Sequence, residues 1–205
     1  MANIINNNIN LIKFNGINWI KNILKKKQTN TRPGSIIYLL YGEKPSEQSI
    51  VIKLGKFGEY LSKELINQSP YLELLTCGVQ NVNNKKKDID LIFKCKNNKT
   101  IYYRELKANI ELDTEKLPAT INKCNEIKLE LQNIYSDYII DCAILNWSIY
   151  NRSILTTGLC KIKVFEDNEI KIEHMSEFLN LCSIEWHEND YYNYFRELGK
   201  IIREN

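Results

Sequence analysis

Apolar positions recur at helical spacing over residues 47–67, where Ile50, Val51, Leu54, Phe57, Leu61, Leu65 and Ile66 fall on one stripe. That period predicts a helix with one buried face. Ser46 stands ready as an N-cap and Pro70 lies just past the end, two signals that bound such an element. Gly55 and Gly58 interrupt the stripe. Each costs up to about 1 kcal/mol relative to alanine in a helix interior, so a packing or access reason is expected for them.

Three strand-like runs follow, Leu72 to Val79, Ile89 to Phe93 and Thr100 to Ala108. The last two are joined by Lys96-Asn97-Asn98-Lys99, and asparagine tolerates the positive φ of tight hairpin turns. A helical pattern runs from Thr114 to Tyr135 with Asp113 or Thr114 as its cap, and Tyr138 to Asn146 is a strongly apolar strand. Cys160 to Phe165 is a further strand candidate, and helices are expected at 175–182 and 189–203. Upstream, the first thirty residues are rich in asparagine with a weak helical pattern around Ile17 to Leu24. Thr29 to Gly34 reads as a loop and Ile36 to Tyr41 as a short strand. A long helix between two strands requires a crossover connection. The fold class is therefore α/β, a central mixed β-sheet flanked by helices.

The 205 residues suit a single domain with one sizeable core, and 43% hydrophobic with 26% charged residues is an ordinary globular balance. No apolar run approaches the length that crosses a bilayer, and the first residues show no secretory pattern, so a cytoplasmic, non-membrane location is expected. Cys77, Cys95, Cys124, Cys142, Cys160 and Cys182 lie far apart, without the clustering of a zinc site, and are expected as free thiols. With only His174 and His187, chemistry based on histidine has little material. The net charge of +3 is mild, but Lys25-Lys26-Lys27 and Lys85-Lys86-Lys87 are local basic runs. Such runs are usually solvated faces and only sometimes phosphate contacts.

The chemistry concentrates in Lys87-Asp88-Ile89-Asp90-Leu91-Ile92-Phe93 and Ile101-Tyr102-Tyr103-Arg104-Glu105-Leu106-Lys107-Ala108. A hairpin turning symmetrically between Asn97 and Asn98 sets Asp90 opposite Glu105 and Asp88 opposite Lys107. Alternation then places Lys107 on the face of Glu105. Surface salt bridges are the plain alternative for such residues. Against it, two carboxylates directly opposite destabilise a hairpin unless a cation lies between them. Ile89, Leu91, Phe93 and Leu106 look like core positions, which makes the hairpin central. Two carboxylates beside an ammonium suit phosphodiester hydrolysis: the carboxylates hold Mg²⁺, and the lysine orients water and offsets charge developing on phosphorus.

Asp90 with Glu105-Leu106-Lys107 resembles the PD-(D/E)xK nuclease motif, although the motif's proline is missing. The register favours Asp90 as the first acidic residue, with Asp88 second. Residues 45–59, from Pro45 to Glu59, look like the first helix of type II restriction endonucleases, and Glu59 matches that helix's acidic residue. Leu112-Asp113-Thr114-Glu115-Lys116 is also similar to the segment that follows the catalytic strand in those enzymes. The similarity spans about residues 45–147, the expected catalytic core of a restriction-endonuclease-like fold.

The resemblance implies a Mg²⁺-dependent type II restriction endonuclease with catalytic Asp90, Glu105, Lys107 and Glu59, and a metal site at Asp90, Glu105 and Leu106. It implies a homodimer cutting double-stranded DNA at a short specific sequence, leaving 5′-phosphate and 3′-hydroxyl ends. A cognate DNA methyltransferase would act on the same site without direct contact. Lys87, Asn109 and Lys116, together with Glu111, are candidates for DNA proximity. The Tyr191-Tyr192-Asn193-Tyr194-Phe195 cluster fits core or dimer packing better than base stacking. The alternatives are a structure- or damage-specific nuclease on the same core (a resolvase, repair or mobile-element enzyme), an inactive DNA-binding module, and a structural interaction protein.

Overall fold

Residues 2–25, 39, 47–82, 85–111, 115–157 and 170–203 are described by a computed structural model. The elements, in chain order, begin with helices α1 (Ala2–Lys25) and α2 (Glu47–Gln68) and strands β1 (Leu72–Leu74), β2 (Gly78–Val82), β3 (Lys85–Ile89), β4 (Leu91–Cys95) and β5 (Thr100–Lys107). Helix α3 (Leu117–Ile134), β6 (Ile139–Asn146), the short α4 (Ser153–Thr156), β7 (Lys171–His174), α5 (Met175–Cys182) and α6 (Glu188–Arg203) follow.

Five strands form one mixed sheet in the order β1-β4-β5-β6-β7. The β1–β4 and β4–β5 pairs are antiparallel, and β5–β6 and β6–β7 are parallel. Helix α3 is the connection that lets β6 run parallel to β5, as the sequence pattern requires. Both faces of the sheet are covered. Phe57 and Leu61 of α2, Leu91, Phe93, Leu106 and Phe178 belong to one buried cluster, to which α1 and α6 also contribute. Ile92, Ile101, Tyr103 and Ile144 belong to a second, closed by Cys124, Ile127 and Leu131 of α3.

Several expected elements end elsewhere. The run Leu72–Val79 is two strands in two sheets, because the chain breaks at Leu75–Cys77 and Gly78 takes a φ of +93°. That backbone conformation is open to glycine and costly for a side chain with Cβ. The run Ile89–Phe93 is likewise split at Asp90, so that β2 and β3 pair as a separate two-stranded ribbon. Ile89 accordingly packs with the second cluster while Leu91 and Phe93 pack with the first, so the three do not form the single core face that strand alternation predicts. Helix α1 is much longer than its weak pattern, and Ile9, Ile12 and Ile20 supply its buried stripe. Strand β7 was not anticipated. The strands expected at Ile36–Tyr41 (apart from the exposed Leu39) and Cys160–Phe165, the loop at Thr29–Gly34, and the caps Ser46, Asp113 and Thr114 lie outside the described residues.

Gly58 has the packing reason expected of it: a Cβ there would lie 2.3 Å from the Trp147 ring. Gly55 has none, since nothing lies within 4 Å of the corresponding position. The described cysteines are free thiols, with Cys124, Cys142 and Cys182 buried. No helix among the described residues is long and apolar enough to cross a membrane.

Candidate active site

The hairpin between β4 and β5 has the register expected from its turn, with Leu91 opposite Arg104 and Phe93 opposite Tyr102. Asp90 is one residue beyond the last pair of that ladder, at the break between β3 and β4, and Glu105 is one beyond on β5. Asp90 is tied to β5 by its side chain: Oδ2 accepts the Leu106 N–H at 2.9 Å. Leu106 turns its own side chain to the opposite face, into the core. Asp88 does not face Lys107. It lies opposite Val79 in the β2–β3 ribbon and is exposed, because the break at Asp90 removes the chain upstream from the main sheet.

Glu105 is almost wholly buried and fully engaged. Lys107 Nζ lies 3.0 Å from Oε1, on the same face as alternation along β5 predicts. The Tyr103 hydroxyl donates to Oε2 at 2.7 Å. A second ammonium, Lys123 of α3, reaches the same Oε2 at 2.6 Å. Burial opposes charge on Glu105, but Lys123, Lys107 and the Tyr103 hydroxyl together hold its carboxyl below the usual range. Asp90 behaves in the opposite way. Burial first, and then the negative charge of Glu105, push its carboxyl up to about 6, with Lys123 and the Leu106 N–H pulling the other way. Burial and Glu105 also push the Tyr103 hydroxyl well up. Two carboxylates whose environments drive them apart in this way are characteristic of functional sites as well as of buried ion networks.

Glu59 of α2 stands at the margin. Its charge acts on Asp90, and its carboxylate lies 4.0 Å from Lys63 one turn along the helix. Asp90, Glu105, Lys107 and Glu59 are thus brought to one region, with Glu59 the most peripheral. Among the described residues no three His, Cys, Asp or Glu side chains are grouped to hold a metal ion. The two hard carboxylates fit Mg²⁺ nonetheless, because that ion keeps several waters and commonly takes only one or two protein carboxylates. Burial raises Asp90 most, and the repulsion from Glu105 that adds to it is what a cation shared by the two would relieve.

The residues expected near DNA are scattered. Lys87 is ion-paired with Glu126 of α3 at 2.5 Å, and Lys85 and Lys86 beside it are exposed on the ribbon. Asn109 and Lys116 are exposed, one after β5 and the other at the start of α3. Glu111 is buried instead of presented to solvent. It accepts from the Asn146 amide and pairs with His174 Nε2 at 3.0 Å. Tyr191 and Tyr194 are core residues.

Sequence reasoning missed Lys123 and the Glu111-Asn146-His174 group. Lys107, Asn146 and His174 are the last residues of three neighbouring parallel strands and stand in register with one another. They therefore line the carboxyl edge of the parallel part of the sheet, the side on which open α/β sheets bind ligands. The helical pattern around Lys123 was visible, but not that this position faces Glu105. Comparison of the chain with profiles of known protein families, with curated proteins and with solved structures gave no match.

Proposed function

We propose that this chain is a Mg²⁺-dependent endonuclease of the restriction type, acting on double-stranded DNA as a homodimer, with the restriction-endonuclease-like fold that its strand motif resembles. The observation that carries the reading is the placement of Asp90 against Glu105 with Lys107 on the same carboxylate. Bringing Asp90 beside the buried Glu105 carries a repulsion that a shared divalent cation would offset. When bound, Mg²⁺ supplies Lewis acidity toward the phosphate and a more acidic water.

Asp90 and Glu105 would hold the cation, and Glu59 adds negative charge at the rim. Lys107, half-buried at the end of β5, orients the attacking water and offsets charge on the phosphate oxygens. Water oxygen bonds to phosphorus as the bond from phosphorus to the 3′ oxygen breaks. The attacking water gives up a proton to solvent and the departing 3′ oxygen takes one up, leaving 5′-phosphate and 3′-hydroxyl ends. Lys87, Asn109 and Lys116 are the proposed backbone contacts. Such an enzyme works in the cytoplasm beside a methyltransferase of matching sequence specificity, and dimer symmetry would mirror a palindromic site.

The test is digestion of long unmethylated duplex DNA in Mg²⁺, beside EDTA and Lys107→Ala controls. Discrete metal-dependent bands lost in the variant support the proposal. A smear, or nicking only at branched or damaged DNA, points to a repair or resolvase enzyme. No cleavage of any DNA form leaves a binding module as the better account.

A further inference from the structure

The two carboxylates of the site already face more positive charge than the strand motif contains. Lys107 occupies one oxygen of Glu105, and Lys123 occupies the other at the shorter distance, 2.6 Å. Lys123 comes from a different layer, helix α3, eighteen residues along the chain from Glu105. Its side chain is 22% exposed, and its charge lowers the carboxyl of Asp90 as well as that of Glu105. Asp90 and Glu105 are thus balanced in charge by Lys107 and Lys123 without any metal. A divalent ion entering with both lysines in place would leave the pocket net positive even with Glu59 counted at its rim. One ammonium must withdraw.

We propose that Lys123 is a placeholder cation, whose ammonium occupies the Glu105 oxygen that a divalent ion would need and which must leave for the metal to enter. The inference rests on the metal-dependent reading above and deepens it. Lys123 is a long, flexible side chain on a helix surface, so it can swing out while the strands stay fixed. Lys107 cannot take this part, because it sits on the strand beside Glu105 and engages the other oxygen.

The test is Mg²⁺ binding to the DNA-free protein by calorimetry, in wild type, Lys123→Met, Lys107→Met and Asp90→Asn, together with amine-reactive labelling of Lys123 in EDTA and in Mg²⁺. Lys123→Gln replaces Lys123→Met if the latter fails to fold, judged by circular dichroism. The expected result is Mg²⁺ affinity about tenfold tighter in Lys123→Met, a change under about threefold in Lys107→Met, and loss of binding when Asp90→Asn is added. Lys123 should also become more reactive when Mg²⁺ is present. Equal affinity in wild type and Lys123→Met, an equal gain in Lys107→Met, or unchanged labelling would overturn the placeholder while leaving the metal reading intact. No Mg²⁺ binding by any variant would remove the metal reading and the placeholder together.

Discussion

Arg104 grips Glu173 through two parallel hydrogen bonds, Nε to Oε2 at 2.6 Å and a terminal guanidinium nitrogen to Oε1 at 2.8 Å. Both side chains are buried, and Asp141 and Lys171 close the network from β6 and β7. Arg104 directly precedes Glu105, so alternation along β5 sends the two to opposite faces of the sheet. One charge system fastens β5 to β6 and β7, and the other builds the candidate site.

Breaking the first system should be costly. Arg104→Met leaves Glu173 buried without its main partner, and a loss of about 3–5 kcal/mol is expected in urea unfolding. The double variant Arg104→Met, Glu173→Met should recover much of that loss. A single-variant cost below about 1 kcal/mol would show that the pair is not holding the sheet.

Opposite pH signatures are expected from Glu173 and Asp90. Burial opposes charge on Glu173, but Arg104 and Lys171 hold its carboxyl below the ordinary value. Its stabilising contribution is therefore complete above the unfolded-state value and lost as pH falls through the folded one. Asp90 has its carboxyl raised to about 6, so without metal it favours the folded state when protonated and weakens it as pH rises through that value. In EDTA, Asp90→Asn should stabilise the protein at pH 8 by about 1–3 kcal/mol and by little at about pH 4, near the unfolded-state value. Thermal melts at the two pH values check this, and equal effects at both would sink it.

The two glycines of α2 should respond with opposite sign. Gly58→Ala drives a methyl into the Trp147 ring and should cost about 1–3 kcal/mol. Gly55→Ala meets open space and should gain up to about 1 kcal/mol from helix propensity alone. A matching sign in chemical denaturation would contradict the packing described here.

His174→Ala removes one of the two groups that engage the buried Glu111 among the described residues, leaving the Asn146 amide. A loss of about 2–4 kcal/mol is expected, and Glu111→Gln should recover part of it by removing the poorly served charge. No recovery in the double variant would mean that the cost lies in lost packing around the ring.

The β4–β5 hairpin was legible because a symmetric turn and period-two alternation together leave one register, and Leu91 does face Arg104. The helix over residues 47–67 was legible for a similar reason: its stripe is long and coherent. The break at Asp90 was not. Lys85 to Phe93 carries no glycine or proline, and only the pairing of β3 with β2 shows that the chain changes sheets there. Lys123 and the Glu111-Asn146-His174 group escaped for another reason. Their contacts depend on how α3 crosses over and on the register of parallel strands, neither of which a local pattern encodes.

Strand β5 is keyed from both sides, and this governs which changes in chain length the protein can absorb. A slip of one residue would send Arg104 toward Lys123 and Glu105 toward Glu173, so an error that an apolar strand would accommodate here reverses two ion pairs at once. Insertions in β5 should therefore be rejected outright, while the exposed turn at Lys96–Lys99 should accept them. The strand acts as a ratchet tooth, and the candidate site inherits its accuracy from charges on the opposite face of the sheet.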